Sequence, residues 1–278
     1  MAAIKAVYMQ TDLEGVAGID DWDPRFKDYA NLAEGVRERL EMQRLMTGEV
    51  NAAAEGLFEA GVENILINDS HGPGRTLLVE ELIPGVRIGR GKPKPAFLLG
   101  LSSRFDALVQ VGMHPMAGTP SGCLAHTMSR GLVFRANGRE IGEMEITAYI
   151  AGAVGIPWIF TSGDLHACRE AERWVPGIAT APVKEGLAEA CAIHLAPEDA
   201  RKLIRERIQE AVARAAQIPL LPQERPVVLE VVRDTPWPAE LNPGAERVDA
   251  FTIRYRGASF YQVFHHYRFG EPDYPLPG

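Results

Sequence analysis

Three short runs of apolar and β-branched residues each break off into a polar, glycine-bearing segment. This repeated ending constrains the fold more than any other feature of the chain. Residues 4–9 run into QTDLEG, residues 63–67 into NDSHG, and residues 107–111 into GMHP. Between the first two lies a stretch from 31 to 60 whose apolar positions (Leu32, Val36, Leu40, Leu45, Val50, Ala53, Leu57) recur at helical spacing, with Gly61 closing it. A fourth apolar run, 157–161, leads into SGD and then a helical pattern over 166–174. Strands that alternate with helices imply a mainly parallel sheet. Sheets of this kind bind ligands at the carboxyl ends of their strands.

The remaining pattern fits the same class. GLVFRANGREIG at 131–142 reads as a hairpin, because Ala-Asn-Gly supplies residues that tolerate positive φ at the turn. Residues 143–153 read as a helix. Beyond about 185 the texture changes: a charged helix over 197–217, the break PLLPQERP, strands at 227–232 and 248–255, and a last helix beginning over 258–264. GEPDYPLPG at 270–278 reads as an extended tail. The expectation is an α/β fold, a mainly parallel sheet flanked by helices, with a smaller C-terminal α+β portion. The division falls at 1–185 for the α/β metal-binding catalytic domain and 186–278 for the smaller domain with its tail.

Composition narrows the partners. The formal net charge is −8, and no basic tract of the kind that grips nucleic acid or membrane surfaces is present, so neither is expected as a partner. No stretch approaches roughly 18 uninterrupted apolar residues, and the first residues lack the pattern of a signal peptide. Cys123, Cys168 and Cys191 show no CxxC spacing, which argues against a disulfide framework and a thiolate zinc site. A reducing cytoplasm is the expected compartment.

The chemistry gathers at the strand ends. Asp12 and Glu14 sit two residues apart where the first strand runs out, so both carboxylates can point to one side. Two adjacent carboxylates repel, and a cation relieves that repulsion. The plain alternative is a pair of exposed loop acids. His71 follows the second strand and His114 the third; neutral imidazoles are good zinc ligands, and loops on rigid scaffolds carry sites. Asp69 reads as a turn-capping residue. Each residue alone has an unremarkable reading, but three strand ends delivering two carboxylates and two imidazoles to one sheet edge is hard to explain that way. One metal needs three such ligands; two metals share a bridging carboxylate and need about five.

Glu143 and Glu145 both compete for the fifth place. They lie about 200° apart around a helix, so they cannot easily share one site, and periodicity does not choose between them. His126, in the loop SGCLAHTMS, suits a general acid–base or oxyanion-stabilising role, or simply packs. His166 follows a strand end and stays open as an accessory residue. No GxGxxG, GxxxxGK[ST] or G-x-S-x-G motif is present, and Cys123 near His126 is weak support for a thiol nucleophile.

D-L-E-G at 12–15, N-D-S-H at 68–71, G-M-H at 112–114, A-H-T-M-S at 125–129 and G-E at 142–143 fall in the order of motifs in the D-aminopeptidases of bacterial dipeptide-transport operons, and the chain resembles that family. The resemblance covers most of the first 180 residues and continues more faintly beyond. It implies a dinuclear zinc site, two ions per subunit, with Asp12 as bridging carboxylate and Glu14, His71, His114 and Glu143 completing the ligands. It selects Glu143 over Glu145 and marks His126 as the catalytic histidine. One departure is Thr147, where the family often carries asparagine. The implied activity is hydrolysis of short peptides or amides with an N-terminal D-residue, in a homo-oligomer, a decamer of stacked pentamers. Two rival readings keep the same residues: a metal-dependent amidase or esterase acting on other small molecules, and a non-catalytic metal-binding scaffold. Manganese or cobalt also suits the ligand set.

Overall fold

The computed structural model describes residues 3–27, 32–222, 224–271 and 276. The expected helix start at Asn31 and most of the expected C-terminal tail lie outside the described residues. In chain order the elements are β1 (Ala6–Thr11), α1 (Leu32–Glu59), β2 (Asn64–Asp69), β3 (Val86–Gly89), β4 (Ala107–Met113), β5 (Leu132–Ala136), β6 (Arg139–Ile141), α2 (Glu143–Gly152), β7 (Trp158–Asp164), α3 (Leu165–Trp174), β8 (Ala179–Ala188), β9 (Cys191–His194), α4 (Pro197–Arg214), β10 (Val227–Arg233), β11 (Glu246–Arg247), β12 (Thr252–Gly257) and α5 (Phe260–Phe269).

The main sheet has seven strands in the order β3-β2-β1-β4-β7-β8-β9. All neighbours pair in parallel except β9, which folds back antiparallel on β8. The fold class expected from the alternating pattern is borne out. β1, β4 and β7 are buried along almost their whole length, which explains their continuous apolar texture. Helices α1 and α4 pack together on one face, and α2 and α3 cover the other. Among the described residues no helix is long and apolar enough to cross a membrane.

The second sheet is antiparallel, in the order β11-β12-β10-β5-β6. Its strands come from two distant parts of the chain: the 132–141 hairpin pairs with β10, which pairs with β12. The hairpin turns on Asn137 and Gly138, both at positive φ. Sequence periodicity assigned this hairpin to the first portion because only the chain's own neighbours are visible there. The expected junction at 185/186 falls inside β8, and β8, β9 and α4 all pack on the main sheet. The strand expected at 248–255 is observed as β12, four residues later in its start, with the short β11 lying just before the expected span. Helix α5 lies against β10 and β12 and touches α2, joining the two sheets through one shared core.

β1 is followed outward by β2 and β3, and the chain then returns to β1's other side as β4. The crevice between the ends of β1 and β4 is therefore the topological switch point of the sheet. Backbone there approaches backbone unusually closely. Asp12 N donates to Val111 O (2.9 Å) and Gly15 N to Gly112 O (2.9 Å). Gly112 sits at φ 78°, and a Cβ on it would collide with the Asp12 carbonyl oxygen. The glycine of G-M-H is thus needed for both its conformation and its missing side chain.

Gly112→Ala is expected to lower stability by roughly 2–4 kcal/mol through strain plus overlap. Gly61→Ala, at φ 87° with open space around it, carries the strain alone and loses about 1 kcal/mol. Urea unfolding of the two variants measures the difference, and equal losses would contradict the close approach.

Candidate metal centre

The loop that leaves β1 turns across the tip of β4, carrying Asp12 and Glu14 into the interior at 5% and 2% exposure. Short bonds to α1 and β8 hold it there. Ala17 N donates to Glu49 Oε1 on α1 (2.8 Å). From β8, Lys184 Nζ donates to the carbonyl oxygens of Glu14 and Ile19. Lys184 is itself buried, so its ammonium has exchanged water for the backbone of the segment that bears both acids.

His71 stands just beyond β2, next to β1 in the sheet. Its Nε2 lies 2.9 Å from Glu14 Oε1. Its Nδ1 faces Arg25 Nη2 at 3.1 Å and Thr76 Oγ1 at 3.3 Å, with Asp23 Oδ2 at 3.6 Å. Asp69 instead accepts from the backbone N–H groups of Thr76 and Leu77, the turn-capping role read from the sequence. His114 follows β4. Its Nδ1 meets Pro115 O at 3.0 Å, and a carbonyl only accepts, so Nδ1 carries a proton and Nε2 points at Asp12 Oδ2 (3.1 Å) and Glu143 Oε1 (3.4 Å).

Glu143 opens α2, and the second sheet aims it. The hairpin ends two residues before, Gln110 on β4 donates to the Met144 carbonyl (3.1 Å), and Glu143 Oε1 accepts from Met128 N (2.7 Å). Glu145 turns the other way and accepts from Gly142 N (2.7 Å), half of a capping box. Nearby, Glu170 on α3 accepts from Met116 N (3.0 Å) and steadies the loop after His114.

His126 stacks on His114, rings 4.0 Å apart and 14° from parallel. Its Nδ1 donates to Leu124 O (2.8 Å), which leaves the Nε2 lone pair facing the cluster, 3.7 Å from Glu143 Oε1. Trp22 packs edge-on against the same ring. His166 bonds to the Gly186 carbonyl (3.1 Å). Thr147 is fully buried, and its hydroxyl has no hydrogen-bond partner.

The six residues marked from the sequence therefore lie together, three carboxylates against three imidazoles in a buried volume. Burial raises Asp12 to about 6, helped by the adjacent Glu14 charge. Burial opposes charge on His71 too, but the Glu14 carboxylate outweighs it and lifts the ring to about 9. For His114 burial is likewise overcome, by Asp12 and Glu143. Burial and the neighbouring His114 hold His126 below the usual histidine range.

Asp12 Oδ2, Glu14 Oε2 and His114 Nε2 are buried with no hydrogen-bond partner. Native interiors leave few such atoms, and three converging on one point fit a cation. The ligand atoms of Asp12, Glu14 and His114 lie within 4.8 Å of one another, as do those of His114, His126 and Glu143. His71 reaches the first group through Glu14.

Comparisons with known proteins agree with this architecture. The model of the peptidase M55 family, described as D-aminopeptidase, matches residues 6–269. The chain belongs to that family and is an aminopeptidase, a peptide or amide hydrolase. A D-aminopeptidase of Bacillus subtilis (strain 168) is 31% identical over 265 residues, covering 93% of each chain. A solved structure of the zinc-dependent D-aminopeptidase DppA from Bacillus subtilis, described as a self-compartmentalizing protease, superposes with a TM-score of 0.81. It is 28% identical and the match covers 94% of each chain.

The sequence reading missed Lys184, Glu49, Trp22 and the Arg25–Asp23 pair. A lysine inside the apolar run APVKEG was a usable signal, because a buried strand lysine needs acceptors. Lys184→Met is expected to cost about 2–4 kcal/mol, since it strands two carbonyls that now share one ammonium. It should also weaken divalent-metal binding about tenfold or more through the loosened acid loop. Denaturant unfolding and metal titration measure the two effects; unchanged metal affinity would show that the clamp does not set the acids.

Glu49 supplies a pH prediction. Burial pushes its carboxyl from 4.5 up to about 8. The folded state then holds a proton that the unfolded chain releases, so stability falls as pH rises from about 4.5 to about 8 and levels off above. Glu49→Gln keeps an acceptor for Ala17 N and removes the titration. Its stability relative to the parent should grow steadily across that window; a constant difference would contradict the raised carboxyl.

Proposed function

We propose that the chain is a zinc-dependent D-aminopeptidase holding two zinc ions per subunit through Asp12, Glu14, His71, His114 and Glu143, with His126 as its catalytic acid–base. The observation that carries this reading is the set of buried, unpartnered ligand atoms at the switch point of the sheet. The family and the zinc dependence of the similar DppA support the choice of metal and activity. Asp12, beside Glu14 and 3.1 Å from His114, would hold both ions as the bridging carboxylate that the family resemblance implies.

Bound zinc supplies Lewis acidity, lowering the pKa of a water towards about 7 and polarising a carbonyl. The protein does the positioning and the proton transfer. His126, fixed by Leu124 O in the tautomer with a bare Nε2, takes the proton of the attacking water. As the water oxygen bonds to the carbonyl carbon and the C–N bond breaks, the same nitrogen returns the proton to the leaving amine. The rigid stack on His114 keeps Nε2 aimed at the reacting atoms, and the acid cluster offers the free amino terminus a cation-favouring environment.

Assembly into a homo-oligomer, a decamer in the fullest form, belongs to the same proposal. The self-compartmentalizing character of DppA supports it, as do Leu32 and Val36, large apolar residues exposed one turn apart on α1. The expected compartment is the cytoplasm, which suits the free cysteines.

Purified protein should carry two zinc ions per chain and hydrolyse D-alanyl amides and short D-alanyl peptides, losing activity on chelation and regaining it with zinc. His126→Ala should lower kcat about 100- to 10,000-fold while retaining both metals. Elemental analysis with steady-state kinetics decides: loss of one metal would make His126 a ligand, and activity confined to L-substrates would overturn the D-peptidase reading.

A further inference from the structure

Beside the centre lies a cavity of about 450 Å³ whose walls include Trp22, His126, Arg130, Leu132, Glu189 and Asp234. It opens directly onto the catalytic histidine, and the residues around it come from both sheets. Leu132 belongs to β5 of the second sheet, and Glu189 follows β8 of the first.

Arg130 is the distinctive residue in that wall. Its guanidinium lies 4.9 Å above the Trp22 ring, and it forms no hydrogen bond or ion pair with another described residue. The ring holds the cation over its face while leaving the N–H fork unspent, an arrangement suited to a carboxylate. The neighbouring Arg233 is differently placed. It stacks on Trp237 at 4.7 Å and donates to Thr235 Oγ1 (3.2 Å).

Trp22 also sets the distance. Its ring is 5.2 Å from the His126 ring and 4.9 Å from the Arg130 guanidinium carbon. An extended peptide advances about 3.3–3.6 Å per residue. One or two residues beyond a scissile bond at His126 therefore bring a chain terminus to Arg130. Two acids, Glu189 and Asp234, and a second cation, Arg233, also line the cavity; of the two guanidiniums, Arg130 is the one beside Trp22 and with no hydrogen bond to spend its donors.

We infer that Arg130, held over the Trp22 ring in this cavity, binds the C-terminal carboxylate of a di- or tripeptide substrate. The inference rests on the proposed placement of the scissile bond beside His126. It makes short chain length a matter of charge recognition: the free carboxylate of a dipeptide or tripeptide reaches the fork, and an amidated or longer chain does not present one there.

The test compares D-alanylglycine and D-alanylglycylglycine with their C-terminal amides, using zinc-loaded wild type, Arg130→Ala and Arg130→Lys. Wild type should favour the free acids through KM by about 10- to 100-fold, the range of a charged hydrogen bond. Arg130→Ala should collapse that ratio towards one by raising KM for the acids, and Arg130→Lys should recover part of it. The thermal midpoint of each variant checks folding. Wild type indifferent to amidation, or an acid-to-amide ratio unchanged in Arg130→Ala, overturns the inference. If wild type cleaves the amides alone, the aminopeptidase reading stands and the carboxylate subsite falls. If it cleaves no D-substrate at all, the reading beneath it falls too.

Discussion

Keeping three carboxylates out of water is the constraint around which the rest of the structure is arranged. Asp12, Glu14 and Glu143 sit where desolvation favours their neutral forms, yet only Asp12 is driven upward: burial and the adjacent Glu14 charge outweigh His114 there, whereas imidazoles prevail at the other two. Buried anions of this density need positive charge close by, from imidazolium or from metal. The atoms without hydrogen-bond partners mark where that compensation by hydrogen bonding stops. A packing that satisfied every lone pair internally would leave nothing for a cation to gain. The pattern of incomplete satisfaction is therefore the chemical content of the site.

Such a cluster persists only if the backbone beneath it does not relax. The switch point meets that need with direct main-chain bonds between the ends of β1 and β4, possible because Gly15 and Gly112 lack side chains. Lys184 closes the acid loop from β8 and Glu49 holds it from α1. The second sheet works in parallel: β5 and β6, held by β10, deliver the start of α2 so that Glu143 meets His114. The loop after β1, the ends of β2 and β4 and the start of α2 thus each fix part of the cluster, and the distances between them inherit the rigidity of the whole sheet.

The legible part of this arrangement was the part written in local pattern. Asp12, Glu14, His71 and His114 could be found because strand ends are visible as apolar runs that stop, and parallel strands place their ends on one edge. Glu143 could not be separated from Glu145 by periodicity, since both begin the same helix and only contacts across space distinguish them; the family resemblance chose it. The acceptors that the buried-strand Lys184 would need, and the roles of Trp22 and Arg130, were not legible for the same reason. Their partners lie far along the chain, at Glu14, His126 and Trp22. The 132–141 hairpin was recognised from its turn residues, yet its sheet was not, because β10 and β12 are supplied about a hundred residues later.

His114, His126, Trp22 and Arg130 form a continuous line of ring and cation contacts, which on the proposed reading serves two ends of a substrate. At the inner end, stacking with His114 and the bond to Leu124 O fix a bare Nε2 over the acids. At the outer end, Trp22 holds a guanidinium whose donors face open space. A flexible arm would bind a carboxylate at any distance, whereas a stacked one reads a distance. Because Trp22 touches both His126 and Arg130, a shift of its ring moves the imidazole and the guanidinium together. On the proposed reading, selection for chain length and alignment of the scissile bond become the same mechanical requirement, with Trp22 the residue on which both depend.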